Sequence, residues 1–474
     1  MKIKILFLIG SLIYSSLGNF IDKPNIIFIL LDDLGKEWIS CYGGENIKTP
    51  HIDKLASSGI KFSNVYSMPQ CTPSRVCFLT GQYPFRNGWV NHWDVPRWGL
   101  GYFDWNKNPS IARVMKSAGY KTAIAGKWQI NDFRIHPDAL IKHGFDHFCM
   151  WTGGETDPES KDHSEKSDQR YWDPYIHTIE GSKTYEGEFG PDIYNSFLLD
   201  FITKNKNQPF FIYYPMTLPH GPLVHTPHDI NASTKLEKHK AMVEYIDFLT
   251  GKLINHLDQN FLSERTIIIF TSDNGTAGNI SNLRNGRLTK GGKMKTTENG
   301  INTPFIVSWP GHISSNTSSD ALIDFSDMLP TFAELAGASL EKGYEYDGIS
   351  FLNILKNPSS PSSRKWILSM GSHPGIGTVN GIENTHRFRD RVIRDQTLKA
   401  FVNSKGELEK LVDLSKDLDE KNNLLNSSKY KSYSKEFKKI IDSLPKIDND
   451  PIYTIINNYP VYREGNIPSG IHKK

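Results

Sequence analysis

Two pairs of oxygen-donor side chains in this chain stand just beyond apolar runs. "NIIFILL" leads into Asp32-Asp33, and "TIIIF" leads through Thr271-Ser272 into Asp273-Asn274. Three carboxylates and one amide are all oxygen donors, a set that suits a hard cation rather than zinc. Ca2+ fits it better than Mg2+, because coordination by about six to eight oxygens, many from carboxylates, is the habit of calcium. Two further apolar runs end in basic groups: "KTAIA" precedes Gly126-Lys127, and "PFFIYY" precedes Pro219-His220. With Arg75 and Lys293 added, a divalent cation beside basic residues is an arrangement for an oxyanion. Each residue alone has a plainer reading: Arg75 as a helix-surface charge, Lys127 and Lys293 as solvated loop residues, His220 as a packed histidine, Asp32-Asp33 as a turn or helix cap. Their shared position after strand-like runs is what favours a site.

The elements that must position these groups follow from the runs themselves. Near-continuous apolar stretches, separated by helical patterns such as "IARVMKSAGY" and "KHKAMVEYIDFLTGKLINHL", predict an α/β fold with a buried parallel sheet covered by helices. Ligands of such sheets bind beyond the carboxyl ends of the strands. Distance along the chain is then no obstacle to a common cleft. Beyond a Pro/Ser-rich stretch, "LKNPSSPSSRK", the runs "RFRDRVIRD", "KAFVN" and "KLVDL" predict a smaller antiparallel sheet, and "YSKEFKKIIDSL" a helix packed on it. The expected division is a leader at 1–18, a catalytic domain at 19–355 and a C-terminal α+β subdomain and tail at 356–474. Residues 151–190, polar and poor in aliphatic side chains, are expected to form a long loop insertion.

A cysteine in "CTPSRVCFLTG" precedes a helix-like run, with Pro73 expected to begin the helix and Arg75 to neutralise charge near its start. Together with "PNIIFILLDDLG", "TPHIDKLASSGIKFSNVYS", "AGYKTAIAGKW", "GFDHF", "PFFIYYPMTLPHGPL", "TIIIFTSDNG", "TPFIVSWPG" and "LEKLVDLSKDLDEKNNLL", this segment resembles the type I formylglycine-dependent sulfatases of the alkaline phosphatase superfamily, over roughly residues 24 to 425. The Cys-x-Pro-x-Arg match alone is only moderately specific; the ordered set carries the resemblance.

That resemblance implies a large, mixed, mostly parallel sheet sandwiched by helices. It also implies hydrolysis of sulfate esters, with Cys71 oxidised to formylglycine by a formylglycine-generating or equivalent maturation enzyme. The hydrated aldehyde is a gem-diol: one hydroxyl takes the sulfate, and the other collapses to the carbonyl and expels it, which a serine could not do. Arg75, Lys127 and Lys293 would stabilise developing charge, and His220 with Lys293 would protonate the leaving alcohol. Lys290 and Lys295 compete with Lys293 for its assignment. One departure concerns mechanism: the family pattern Gly-Lys-Trp-His reads "GKWQ" here, so Gln129 stands where a histidine is expected. Glutamine can orient a hydroxyl but cannot take up its proton. A second departure, "ENGINTP" in place of "EGG" followed by arginine, lies near Lys293.

The balance of 55 Lys+Arg against 52 Asp+Glu argues against a nucleic-acid partner. "MKIKILFLIGSLIYSSLGNF" reads as a cleaved secretory signal, with an uncleaved membrane anchor as the alternative; the first reading predicts a secreted or periplasmic chain without a transmembrane segment once mature. Export permits a disulfide among Cys41, Cys77 and Cys149, with the pairing open. Trp93, Trp98, Tyr102, Trp105, Trp151 and Trp172 form either a sugar-stacking rim or ordinary loop packing. Export with such a rim favours a sulfated glycan and polysaccharide degradation, with other sulfate esters as surrogates. Two alternatives stay open: a phosphoester or phosphonate hydrolase on the same fold, and a catalytically silent glycan-binding protein.

Overall fold

The computed structural model describes residues 23–90, 102–131, 133, 136–152, 170–372, 375–378, 381–384, 387–450, 453–454 and 472–473. The expected leader, Trp93, Trp98 and residues 153–169 of the expected insertion lie outside this set.

The four apolar runs become adjacent strands. A ten-stranded sheet runs in the order Thr317–Ser319, Gly59–Phe62, Phe305–Ser308, Thr266–Ser272, Asn25–Leu31, Phe210–Pro215, Lys121–Lys127, His147–Trp151, Tyr175–Thr178, Gly181–Thr184. The five strands from Thr266–Ser272 to His147–Trp151 are mutually parallel. Antiparallel partners flank them on both sides. All seven residues of Asn25–Leu31 are buried, which is why this strand reads as a continuous apolar run rather than an alternating one.

Alternate residues of that strand enter two cores. Ile26, Phe28 and Leu30 pack with helices Cys71–Thr80, Ile111–Ser117 and Met328–Ala336; Ile27, Ile29 and Leu31 pack with Pro50–Ser57, Gly190–Asn205 and Lys235–Gln259. Each fully buried Ile, Leu or Phe contributes roughly 1.5–3 kcal/mol. The strands are therefore held by their own side chains, and their polar tips need not stabilise the fold.

Part of the expected insertion extends the sheet. Tyr175–Thr178 and Gly181–Thr184 form its edge hairpin, and the outermost strand is largely exposed, which explains its polar, aliphatic-poor sequence. The smaller sheet has the predicted antiparallel form, in the order Ile367–Met370, Arg391–Arg394, Leu398–Val402, Leu408–Asp413, and helix Lys431–Ser443 buries Phe437 and Ile441. Leu398, Leu411 and Phe437 belong to the same apolar cluster as Phe28, so one core continues beneath both sheets. Among the described residues no helix is long and apolar enough to cross a membrane.

Candidate active site

Strand register brings the two oxygen-donor pairs side by side. Leu31 pairs with Ser272 in the parallel ladder, so the next residue on each strand, Asp32 and Asp273, emerges at one level. The ladder bonding continues past the strand ends: Asp273 N–H donates to Leu31 O and Asp32 N–H to Leu218 O, both at 3.0 Å. Asp33 has φ +69, a conformation uncommon outside glycine, and its N–H donates to Asp273 Oδ1 at 3.1 Å. Asn274 Nδ2 donates to Asp33 Oδ1 at 2.8 Å. Carboxylate oxygens of Asp32 and Asp273 lie within 4.8 Å of each other and of Cys71 Sγ; Asp32, Asp33 and His220 form a second group of the same size.

Four basic groups close around these acids. Lys127 Nζ lies 2.8 Å from Asp32 Oδ2 and 3.1 Å from its Oδ1. Arg75 Nη2 donates to Asp273 Oδ2 at 2.6 Å and lies 3.5 Å from Asp32 Oδ1. Lys293 Nζ lies 2.6 Å from Asp33 Oδ2, and His220 Nε2 3.6 Å from the same oxygen. Lys290 and Lys295 are exposed, so Lys293 is the lysine of its loop that reaches the acids. Arg75 is only 1% exposed, which removes the helix-surface reading.

Charge and burial oppose each other here. Burial favours the neutral acid, but Lys127, His220, Arg75 and Lys293 outweigh it at Asp32 and hold that carboxyl below its usual range. Asp33 is likewise held down, by Lys293 and His220 against burial. Asp273 goes the other way: burial, reinforced by the negative charge of Asp32, pushes it up to about 7 despite Arg75. Burial lowers His220 to about 4, against the pull of both aspartates. Asp33 outweighs burial at Lys293 and raises its ammonium.

Cys71 is the first residue of helix Cys71–Thr80 and is 2% exposed, with burial raising its thiol. Pro73 therefore does not begin the helix. It sits two residues inside, still in the first turn, where a missing N–H costs nothing because no intrahelical partner exists. Ser74 Oγ contacts Asp273 O at 2.5 Å and Met68 O at 3.0 Å, fastening this turn to the tip of strand Thr266–Ser272. Close approach also fixes Lys127. Gly126 has φ +120, and a Cβ there would lie 2.0 Å from Pro215 O. Gln129 has φ +77, and its Oε1 is buried with no hydrogen-bond partner among the described residues.

Two other expectations change. Trp151 is 2% exposed and ends a strand paired on both sides, so it is core rather than rim; Trp105 and Trp172 are partly buried against the two cores. All four cysteines are free thiols, with Cys77 and Cys149 in cores on opposite faces of the large sheet. The sequence reading missed Ser74, and it missed Arg170, whose Nη1 lies 3.0 Å from His220 Nδ1. Neither residue has a spacing that marks it; Arg170 follows a polar stretch and only its burial shows a role.

The acidic tips fit a hard cation. Their donors are oxygens, Asn274 Oδ1 is buried without a hydrogen-bond partner among the described residues, and Asp273 is destabilised as an anion until more positive charge arrives. The family model for sulfatases matches residues 24–338, and that for the C-terminal part of N-sulphoglucosamine sulphohydrolase matches residues 292–446. The chain belongs to the sulfatase family. An N-acetylgalactosamine-6-O-sulfatase of Bacteroides thetaiotaomicron is 28% identical over 491 residues, covering 90% of this chain and 94% of that protein. An arylsulfatase of Hemicentrotus pulcherrimus is 30% identical over 363 residues, covering 72% of this chain; the chain spans 63% of that relative's length. Among solved structures, Ps i-CgsB matches with a TM-score of 0.74 at 25% identity, over 93% of this chain and 97% of that one. It has also been solved in complex with k-i-k-neocarrahexaose.

Proposed function

We propose that this chain hydrolyses sulfate esters of a sulfated glycan, with Cys71 matured to formylglycine and Ca2+ held by Asp32, Asp33, Asp273 and Asn274. The observation that carries the reading is the meeting of Cys71, Asp32 and Asp273 within 4.8 Å, ringed by Arg75, Lys127, Lys293 and His220. A cysteine raised by burial is a weak nucleophile as it stands, which fits a residue awaiting modification. Membership of the sulfatase family supports the same conclusion.

When bound, the cation supplies a Lewis acid for a sulfate oxygen and for the attacking hydroxyl. The hydrated aldehyde at position 71 supplies that hydroxyl for attack on sulfur and a second one to expel sulfate afterwards. Arg75 and Lys127 are buried donors already in place, so they stabilise charge developing on the sulfuryl oxygens without reorganising. As the S–O bond to the alcohol breaks, its electron pair stays on the alcohol oxygen. His220 and Lys293, both beside Asp33, serve that oxygen: the Lys293 ammonium gives the proton that completes the alcohol, and His220 Nε2–H donates a hydrogen bond to it. Gln129, at the position where the family pattern has its histidine, is the residue we assign to orienting one hydroxyl at position 71; its Oε1 is a buried acceptor without a partner among the described residues.

The glycan follows from the relatives that align along most of their length, one an N-acetylgalactosamine-6-O-sulfatase, the other solved with a neocarrahexaose. We assign catalysis to residues 19–355, with 356–474 as a supporting subdomain, and place the mature protein outside the cytoplasm. Sulfate release should be measured over a panel of defined sulfated oligosaccharides, with matched phosphate esters alongside. Preference for a sulfated sugar supports the assignment; a large preference for phosphate, or glycan binding without release, overturns it.

A further inference from the structure

Three consecutive residues hold the loop that carries His220. Arg170 Nη1 lies 3.0 Å from His220 Nδ1. The Tyr171 hydroxyl lies 2.6 Å from both Thr217 O and His220 O, and Trp172 Nε1 donates to His225 O at 3.1 Å. Arg170 is itself 3% exposed, with its guanidinium 3.9 Å from the centre of the Trp151 ring. Strand His147–Trp151 thus forms a rigid backing for the cation, which stacks on the indole face.

The chemistry of this contact is directional. A guanidinium has donors and no acceptor, so it favours a lone pair on the nitrogen facing it. With the lone pair there, the neutral ring carries its proton on Nε2, the atom 3.6 Å from Asp33 Oδ2. Gly221 O is 2.7 Å from the same Nδ1 and serves it when it carries a proton. Turning the ring over would set a carbon against both partners. The δ edge of His220 is thereby anchored, and only its ε edge faces the acids.

We propose that Arg170 is a positioning residue for this reaction: it fixes the ring of His220 so that Nε2–H points at the oxygen leaving sulfur. The inference rests on the reading above that His220 serves the leaving group. Arg170 acts through His220, and its own burial against Trp151 keeps it from the sugar.

The dependence of rate on leaving group tests this, because help to the departing oxygen matters most when that oxygen is basic. Arg170→Met, Arg170→Lys and His220→Ala are compared with the native protein on 4-nitrophenyl sulfate and phenyl sulfate, with thermal melts recorded for each. Arg170→Met is expected to lower kcat on phenyl sulfate on the order of tenfold more than on 4-nitrophenyl sulfate, with KM little changed. Arg170→Lys, which keeps the charge but loses the fork, should recover part of that loss; if the Met variant does not fold, the Lys variant must still show a smaller bias of the same sign. An equal loss on both esters, a change in KM alone or no loss overturns the assignment. If His220→Ala shows the bias and the Arg170 variants do not, only Arg170 is misassigned; if His220→Ala shows none, the role of His220 falls and this inference with it.

Discussion

Replacing Asp273 by asparagine separates the cost of holding an anion from the benefit of holding a cation. Burial and Asp32 push this carboxyl up to about 7, so without a cation its charged form is disfavoured, and an amide imitates the neutral state. The amide keeps one oxygen for two donors, Arg75 Nη2 at 2.6 Å and Asp33 N–H at 3.1 Å, a loss of about 1 kcal/mol. The lost cation matters more. At a hundredfold excess over Kd, bound Ca2+ stabilises the native state by about 2.7 kcal/mol. With 474 residues at about 2.1 cal/mol/K each, the unfolding entropy is about 1 kcal/mol/K, and the shift in Tm is roughly 3 °C. Thermal melts in chelator and in saturating Ca2+ should show that shift for the native chain and not for Asp273→Asn, which should also lose sulfate release. Proton and cation compete for the same oxygens, so Ca2+ affinity should rise with pH and level off above about 7. An undiminished Ca2+ shift in the variant would refute the reasoning.

Lys127→Met keeps the buried stem but removes the ammonium that serves both oxygens of Asp32. We expect kcat to fall by about 10²–10³ with the fold retained, and a loss below tenfold would count against its role. Gln129→His should change turnover by less than about tenfold, whereas Gln129→Leu should cost more, because the buried acceptor assigned to a hydroxyl at position 71 is lost; unchanged turnover in the Leu variant contradicts that assignment. His143 is 1% exposed, and burial, aided by Arg113, holds its imidazole at about 3, against about 6.5 unfolded. The unfolded chain alone takes up a proton as pH falls below 6.5, so this contribution is intact above that pH and falls by about 2 kcal/mol at pH 5. His143→Phe should flatten the acid limb of stability by that amount, measured by denaturant unfolding at pH 7 and pH 5; an unaltered limb would refute it.

Much of this architecture could be read from single residues, and the limits of that reading are physical. Strands such as Asn25–Leu31 were legible because both faces are buried, which leaves an unbroken apolar run. Their polar ends pointed to one edge of the sheet, but the Leu31–Ser272 register, which makes Asp32 and Asp273 neighbours, is a property of pairing and leaves no local mark. The sequence of hairpin Tyr175–Thr184 reads as a loop because edge strands need few apolar side chains. Sequence alone does not separate the buried Trp151 from a rim residue, because an aromatic side chain is the same residue type whether it faces core or solvent. Arg170 was invisible for the opposite reason: an arginine after a polar stretch resembles a solvated charge until its stack on Trp151 is seen.

The central claim is that the residue at position 71 works as an aldehyde beside an ion held by distant acidic tips. Mass spectrometry of the peptide spanning residues 67–88, taken together with sulfate release from the same preparations, tests it directly. Activity should scale with the fraction of aldehyde and vanish in Cys71→Ser. Full multiple-turnover activity from protein carrying an unmodified cysteine, or from the serine variant, would contradict it.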